Sequence, residues 1–180
     1  MSEAEQIKAV EKFFGKDDAG ELIQLFRKAY QMRQIADIFR LDFIFRSPEI
    51  EYIKKRAELN KCTYSYLFNL DQPIDGGSTP WHCSDIPYVF HNTELVPSTQ
   101  REGITERLEN EIFESVMSFA RTGRPGMNDI PDWICSSSSE EYTMIFDERT
   151  HSGRNFDHDL QQEFAAAMGS KFAELMSGQI

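Results

Sequence analysis

One side chain in this sequence stands where acid–base work could be done: His82, in the run Trp81-His82-Cys83-Ser84-Asp85-Ile86-Pro87-Tyr88-Val89-Phe90. An imidazole with an unperturbed pKa of about 6.5 can take up and return a proton near neutrality. A serine–histidine–acid mechanism also needs a hydroxyl nucleophile, a carboxylate that orients the ring and N–H donors for the oxyanion. The strained strand-to-helix turn that presents such a serine reads G-x-S-x-G, and that pattern is absent. The nearest stretch, Gly76-Gly77-Ser78-Thr79-Pro80, has Pro80 in place of the second glycine and precedes no helical run. Ser78 and Ser84 stand too near His82 along the chain to be the expected nucleophile. Taken alone, a single histidine in a loop is usually solvated or hydrogen-bonded structure.

Other chemistry is weaker. Cys62, Cys83 and Cys135 are far apart and odd in number, so neither a zinc ribbon nor a disulfide framework is called for. Cys83 directly follows His82, and adjacent side chains in an extended loop diverge, which argues against a Cys-His dyad. Metal sets could be drawn from His82, Cys83, Asp85 and His91, or from His151, Asp157, His158 and Asp159. Neither has a recognised ligand spacing, so no metal is expected. Asp85 stands to cap the following turn or pair with an arginine, and Asp157 or Asp159 to cap a helix. Trp81 reads as packing.

The elements that must hold His82 follow from periodicity. Apolar residues at helical spacing predict helices over 3–14, ended by Gly15, and from Asp18, where Asp18 and Glu21 can form a capping box. The run Ile35–Phe45 predicts a buried helix, followed by another that Ser47 caps with Pro48 at its first position, reaching about Leu59. Cys62–Phe68 alternates, with Tyr64, Tyr66 and Phe68 on one face of a strand. The Asp71–Pro80 loop then delivers His82. A helix is predicted from Ile104 to about Arg121 with Gly123 as its stop, Arg121 and Arg124 placed to meet its last carbonyls. Trp133 reads as a core plug, Tyr142–Phe146 as an edge strand, and Leu160, Phe164, Met168 or Ala167, Phe172 and Leu175 as the apolar side of a last helix. Two strands make a poor independent sheet, so Tyr64–Phe68 reads as part of a larger one.

The order Tyr64-x-Tyr66-x-Phe68, then His82-x-x-Asp85-Ile86-Pro87-Tyr88-Val89-Phe90, then Phe119-Ala120-Arg121-Thr122-Gly123-x-Pro125 resembles the C-terminal part of type-B carboxylesterases. These α/β-hydrolases include para-nitrobenzyl esterases and cholinesterases. Cys83 stands where that family usually has Gly, and Asp85 where it usually has Glu. The resemblance implies an α/β fold class: the C-terminal portion of an α/β-hydrolase, mostly helical with a few short strands of an incomplete sheet. It implies that His82 is the catalytic histidine of a Ser-Glu-His triad, and that the reaction is acyl transfer to serine and then hydrolysis, without cofactor or metal. It assigns no nucleophile, acid or Gly-Gly oxyanion motif to these residues. The expectation is a C-terminal fragment or truncated gene product, inactive alone and meeting a small-molecule ester only when completed by the missing N-terminal part. The alternative is a non-catalytic interaction module with the same fold; a helical metal-binding domain is a third, weaker reading.

Length and charge set the rest. The 180 residues suit a single domain over 1–180, and 19 basic against 30 acidic residues give a net charge of −11. That balance argues against a nucleic-acid or anionic-membrane partner, and no apolar run reaches the ~20 residues of a membrane helix. The start lacks a signal peptide, which points to a cytoplasmic rather than a secreted setting. The Ile35–Phe45 run and the Tyr64, Tyr66, Phe68 face are expected to be exposed and to drive a homo-oligomer, with the C-terminal helix as a candidate contact.

Overall fold

In a computed structural model the chain divides into two compact units, residues 1–50 with 156–180 and residues 51–155. The structure describes residues 1–59, 62–74 and 77–177. Gly76 and the side chain of Leu175 lie outside the described residues.

The first unit is helical. Helix α1 (Glu3–Phe14) starts in a capping box between Ser2 and Glu5 and stops at Gly15, whose φ of 90° suits glycine alone. Gly15 is also where α2 (Lys16–Ala29) begins, two residues before Asp18, so the expected Asp18–Glu21 box is not what starts it. Ile35–Phe45 is not one buried helix. Residues Ile35–Arg40 form a 3₁₀ helix, Leu41 is extended, and α3 (Phe43–Leu59) follows with Pro48 inside it. The Asp42 carboxylate accepts the Phe45 N–H at 3.2 Å, so Asp42 holds the α3 start rather than Ser47. Ile35 and Ile38 are buried, whereas Phe39, Ile44 and Phe45 are exposed. Val10, Leu22, Phe26 and Ile38 pack with Leu160, Phe164 and Ala167 of α6 (His158–Ser177). Phe172 of α6 is exposed and does not join that core.

The second unit carries the sheet. Strand β1 (Ser65–Phe68) pairs in parallel with β2 (Tyr142–Phe146), Ser65 opposite Thr143 and Phe68 opposite Phe146. The crossover between them contains α4 (Ile86–Val89) and α5 (Thr105–Thr122), as a parallel pair requires. Strand β2 is central, not an edge, because β3 (His151–Arg154) pairs antiparallel on its other side. Helix α5 ends at Gly123 in the left-handed conformation, φ 75°. Its carboxyl end is tied by Thr122 Oγ1 to the Ser118 carbonyl and by Ser118 Oγ to that of Arg124, each at 2.8 Å. Leu70, Tyr88, Leu108, Ile112, Met144 and Phe146 are buried together, with Tyr66, Phe68 and Trp133 packed against them. The Tyr66 and Phe68 face is therefore core, not exposed as expected. Trp133 is the plug foreseen, and its Nε1–H donates to the Ser65 carbonyl at 3.0 Å.

Candidate functional site

The chain leaves the carboxyl end of β1, where open α/β sheets bind their ligands, and is tied down at once. Asn69 N–H donates to the Phe146 carbonyl at 2.7 Å, and Asn69 Nδ2 to Asp147 Oδ2 at 2.6 Å. Gln72 and Ser78 exchange backbone hydrogen bonds at 2.8 and 2.9 Å, pinching the loop shut. Beyond Trp81 a turn over residues 82–85 follows.

That turn is locked by Ser84. Its buried hydroxyl donates to the Trp81 carbonyl at 2.6 Å and accepts the Trp81 N–H at 2.8 Å. This engagement agrees with its exclusion as a nucleophile. Ser84 and the half-buried Asp85 turn inward, leaving His82 and Cys83 exposed. Asp85 sits at the N-cap of α4 without a side-chain capping bond. Its Oδ2 accepts the Tyr66 hydroxyl at 2.6 Å instead. Nothing in the sequence beyond the place of Tyr66 in an alternating strand signalled that contact. After the turn Tyr88 is fully buried, its ring 4.9 Å from that of Phe68 and its hydroxyl donating to the Thr99 carbonyl at 3.3 Å. Burial pushes that phenol above its usual range.

His91 closes α4. Asn110 Nδ2 donates to the Glu106 carbonyl, which leaves Asn110 Oδ1 to accept from His91 Nε2 at 3.0 Å. That bond raises the imidazole above its ordinary value, and the ring lies 4.8 Å from Phe113. His91 is an anchor between α4 and α5. Among the described residues no group of three or more His, Cys, Asp or Glu could hold a metal ion. Asp157 lies buried against Arg46 and is not a ligand candidate. Among the described residues no helix is long and apolar enough to cross a membrane.

Cys83 has φ 71°, the left-handed region that costs a side chain about 1 kcal/mol or more. Glycine removes that strain but adds freedom to the unfolded chain. Because the Cys83 side chain is exposed, no packing is lost. Cys83→Gly is expected to raise unfolding stability by about 0.5 kcal/mol, read from the urea midpoint at unchanged m; a lower midpoint would contradict it.

Against known proteins, the Carboxylesterase family matches residues 24–168. The chain is similar to an esterase from anaerobic Clostridium hathewayi that can hydrolyze aliphatic aromatic polyesters: 41% identity, TM-score 0.87, covering 93% of this chain and 33% of that one. It also resembles a thermophilic pNB esterase (19% identity, TM-score 0.57, covering 91% and 34%). A further likeness is to the Geobacillus stearothermophilus carboxylesterase Est55 (18%, TM-score 0.59, covering 91% and 35%). No curated protein matches. The chain spans about a third of the length of these structures. It is a partial α/β-hydrolase fold, mostly helical with a short three-stranded sheet. With most of its length matched, the chain belongs to the carboxylesterase family.

Proposed function

We propose that these residues supply the histidine-bearing part of a serine carboxylic ester hydrolase. The nucleophile, the acid and the oxyanion donors would come from polypeptide outside them. The observation that carries this reading is an exposed imidazole at 82, on a turn closed by Ser84 in the crossover that follows β1, in a chain of this family. In that role His82 takes the serine proton as acyl transfer begins and returns it to the leaving alcohol. The substrate is a small-molecule ester whose class depends on the other residues of the pocket. No metal or cofactor enters this reading, and nucleic acid and membrane are not among the partners.

The experiment is an ester-hydrolysis assay on the 180-residue chain with a chromogenic ester. The expected result is no turnover above a His82→Ala control, since a base without a nucleophile does not form an acyl-enzyme. Robust turnover abolished by His82→Ala would overturn the proposed division of labour. The absence of G-x-S-x-G from the 180 residues favours a second reading, a non-catalytic interaction module with this fold. That reading foresees no dependence on His82 in any completed enzyme.

A homo-oligomer is part of the proposal. Phe39, Ile44, Phe45 and Phe172 are all exposed in the first unit, and large exposed apolar side chains favour association. Sedimentation at high concentration is expected to give a species heavier than 20.9 kDa; a strictly monomeric profile would count against it.

A further inference from the structure

We propose that Tyr66 and Asp85 act together as positioning residues for His82, holding the turn that carries the imidazole onto strand β1. The inference rests on the reading of His82 as the general base. The contact is a phenol donating to a carboxylate at 2.6 Å, across 19 positions of sequence. Charge-assisted O–H···O⁻ bonds of that length are among the stronger ones in proteins.

Both ends of the bond are fixed by other groups. The Tyr66 ring packs edge-on against Trp133, at 6.4 Å and 89°, and against Phe146, at 5.8 Å and 65°. Trp133 is itself tied to the Ser65 carbonyl. The phenol oxygen therefore has little room to follow a moving partner. At the other end, Asp85 occupies an N-cap position but leaves the α4 N–H groups without a side-chain cap. Its carboxylate is aimed at the sheet instead. The Asp85 carbonyl accepts from Tyr88 and Val89, each at 3.0 Å, so a displaced Asp85 would drag the start of α4 with it.

Ser84 fixes the internal shape of the turn, through bonds to Trp81 alone. Tyr66–Asp85 fixes where that rigid turn sits relative to the strand. An ångström of error in a base's placement can cost a large factor in rate, and only two residues lie between His82 and Asp85. The pair thus acts on catalysis through His82, without touching substrate.

The test uses an enzyme in which this chain replaces the matching third of the Clostridium hathewayi esterase. Active sites are counted with a serine-directed phosphonate. Tyr66→Phe keeps the ring in its packing and is expected to lower kcat per active site about 10-fold, with KM within about twofold. Asp85→Asn keeps an acceptor oxygen and is expected to fall between parent and Asp85→Ala. The double variant Tyr66→Phe/Asp85→Ala is expected to lose no more than the worse single one, because one interaction is removed in each case. In the 180-residue chain, Tyr66→Phe is expected to move the His82 ring resonances while leaving those of His151 in place. A merely structural pair would lower the count of active sites and leave kcat per site unchanged. That result, multiplicative losses, or unmoved His82 resonances would each overturn the inference. Should His82→Ala leave turnover intact, the general-base reading fails. If His82→Ala abolishes turnover and Tyr66→Phe is silent, only the positioning pair fails.

Discussion

In an enzyme completed by joining this chain to the remainder of the Clostridium hathewayi esterase, His82→Ala is expected to lower kcat by at least about 10³-fold. The two proteins share 41% identity over 93% of this chain at a TM-score of 0.87, so the joined fold needs little rearrangement. The size of the effect follows from where the imidazole would act. There it would accept the serine proton as the tetrahedral intermediate forms and donate to the leaving alcohol as it collapses. Both events belong to the transition state, so the loss falls on kcat and leaves KM near its parent value. A factor of 10³ corresponds to about 4 kcal/mol of barrier. Folding is not expected to suffer, because the ring is exposed and the turn is closed by the Ser84 hydroxyl on the Trp81 backbone. Steady-state kinetics beside a thermal melt check this. A joined enzyme that hydrolyses esters equally well without the imidazole would favour the non-catalytic module instead.

Local signals were legible where one residue settles a boundary. Gly15 ends α1 and Gly123 ends α5 because only glycine adopts those φ values without strain. The alternation of Tyr64, Tyr66 and Phe68 marked β1, and the four-residue recurrence from Leu108 to Ala120 marked α5. What escaped the sequence depended on partners far along the chain. His151-Ser152-Gly153-Arg154 shows no apolar alternation and is a strand only because β2 offers it a ladder. Tyr142–Phe146 reads as an edge for the same reason, since its second neighbour was invisible. The largely apolar run Ile35–Phe45 concealed a break at Leu41, because hydrophobicity alone does not separate a 3₁₀ turn from the first turn of α3. At the candidate site the imidazole could be picked out by its motif. Its setting could not: Asp85 could be seen as a carboxylate in need of a partner, but a strand tyrosine 19 residues earlier was not foreseen.

The largest stability loss is expected from Asp157→Ala, at about 3–5 kcal/mol. Asp157 and Arg46 have side chains 0% and 4% exposed and meet at 2.8 Å through Arg46 Nη2. Arg46 Nε adds bonds to Asp157 Oδ1 at 3.1 Å and Oδ2 at 3.4 Å, so the guanidinium meets both carboxylate oxygens. On the other oxygen, Oδ2 accepts the Tyr30 hydroxyl at 3.2 Å and Gln161 Nε2 at 3.0 Å. Truncation strips three buried side chains of one shared acceptor, and Glu49, which Arg46 also meets at 3.5 Å, lies toward solvent. Lost pairing in a dry site is expensive because no water replaces it. Against a total of about 5–15 kcal/mol for a typical domain, the loss is about a fifth or more. Asp159→Ala, two residues on, supplies the contrast: its bond to Lys28 is 3.4 Å long between side chains 73% and 74% exposed, and should cost about 0.5 kcal/mol or less. Tyr30 reports on the same network, since burial first and the Asp157 charge second push its phenol well above the ordinary value near 10. The folded chain keeps that proton while the unfolded chain releases it, so the contribution is whole below about pH 10 and falls as pH rises further. Urea unfolding of the two alanine variants decides the matter. A cost below about 1 kcal/mol for Asp157→Ala would refute it, whereas an apolar pair, Arg46→Met with Asp157→Leu, should recover much of the loss because neither partner is then left as a buried, unmatched charge.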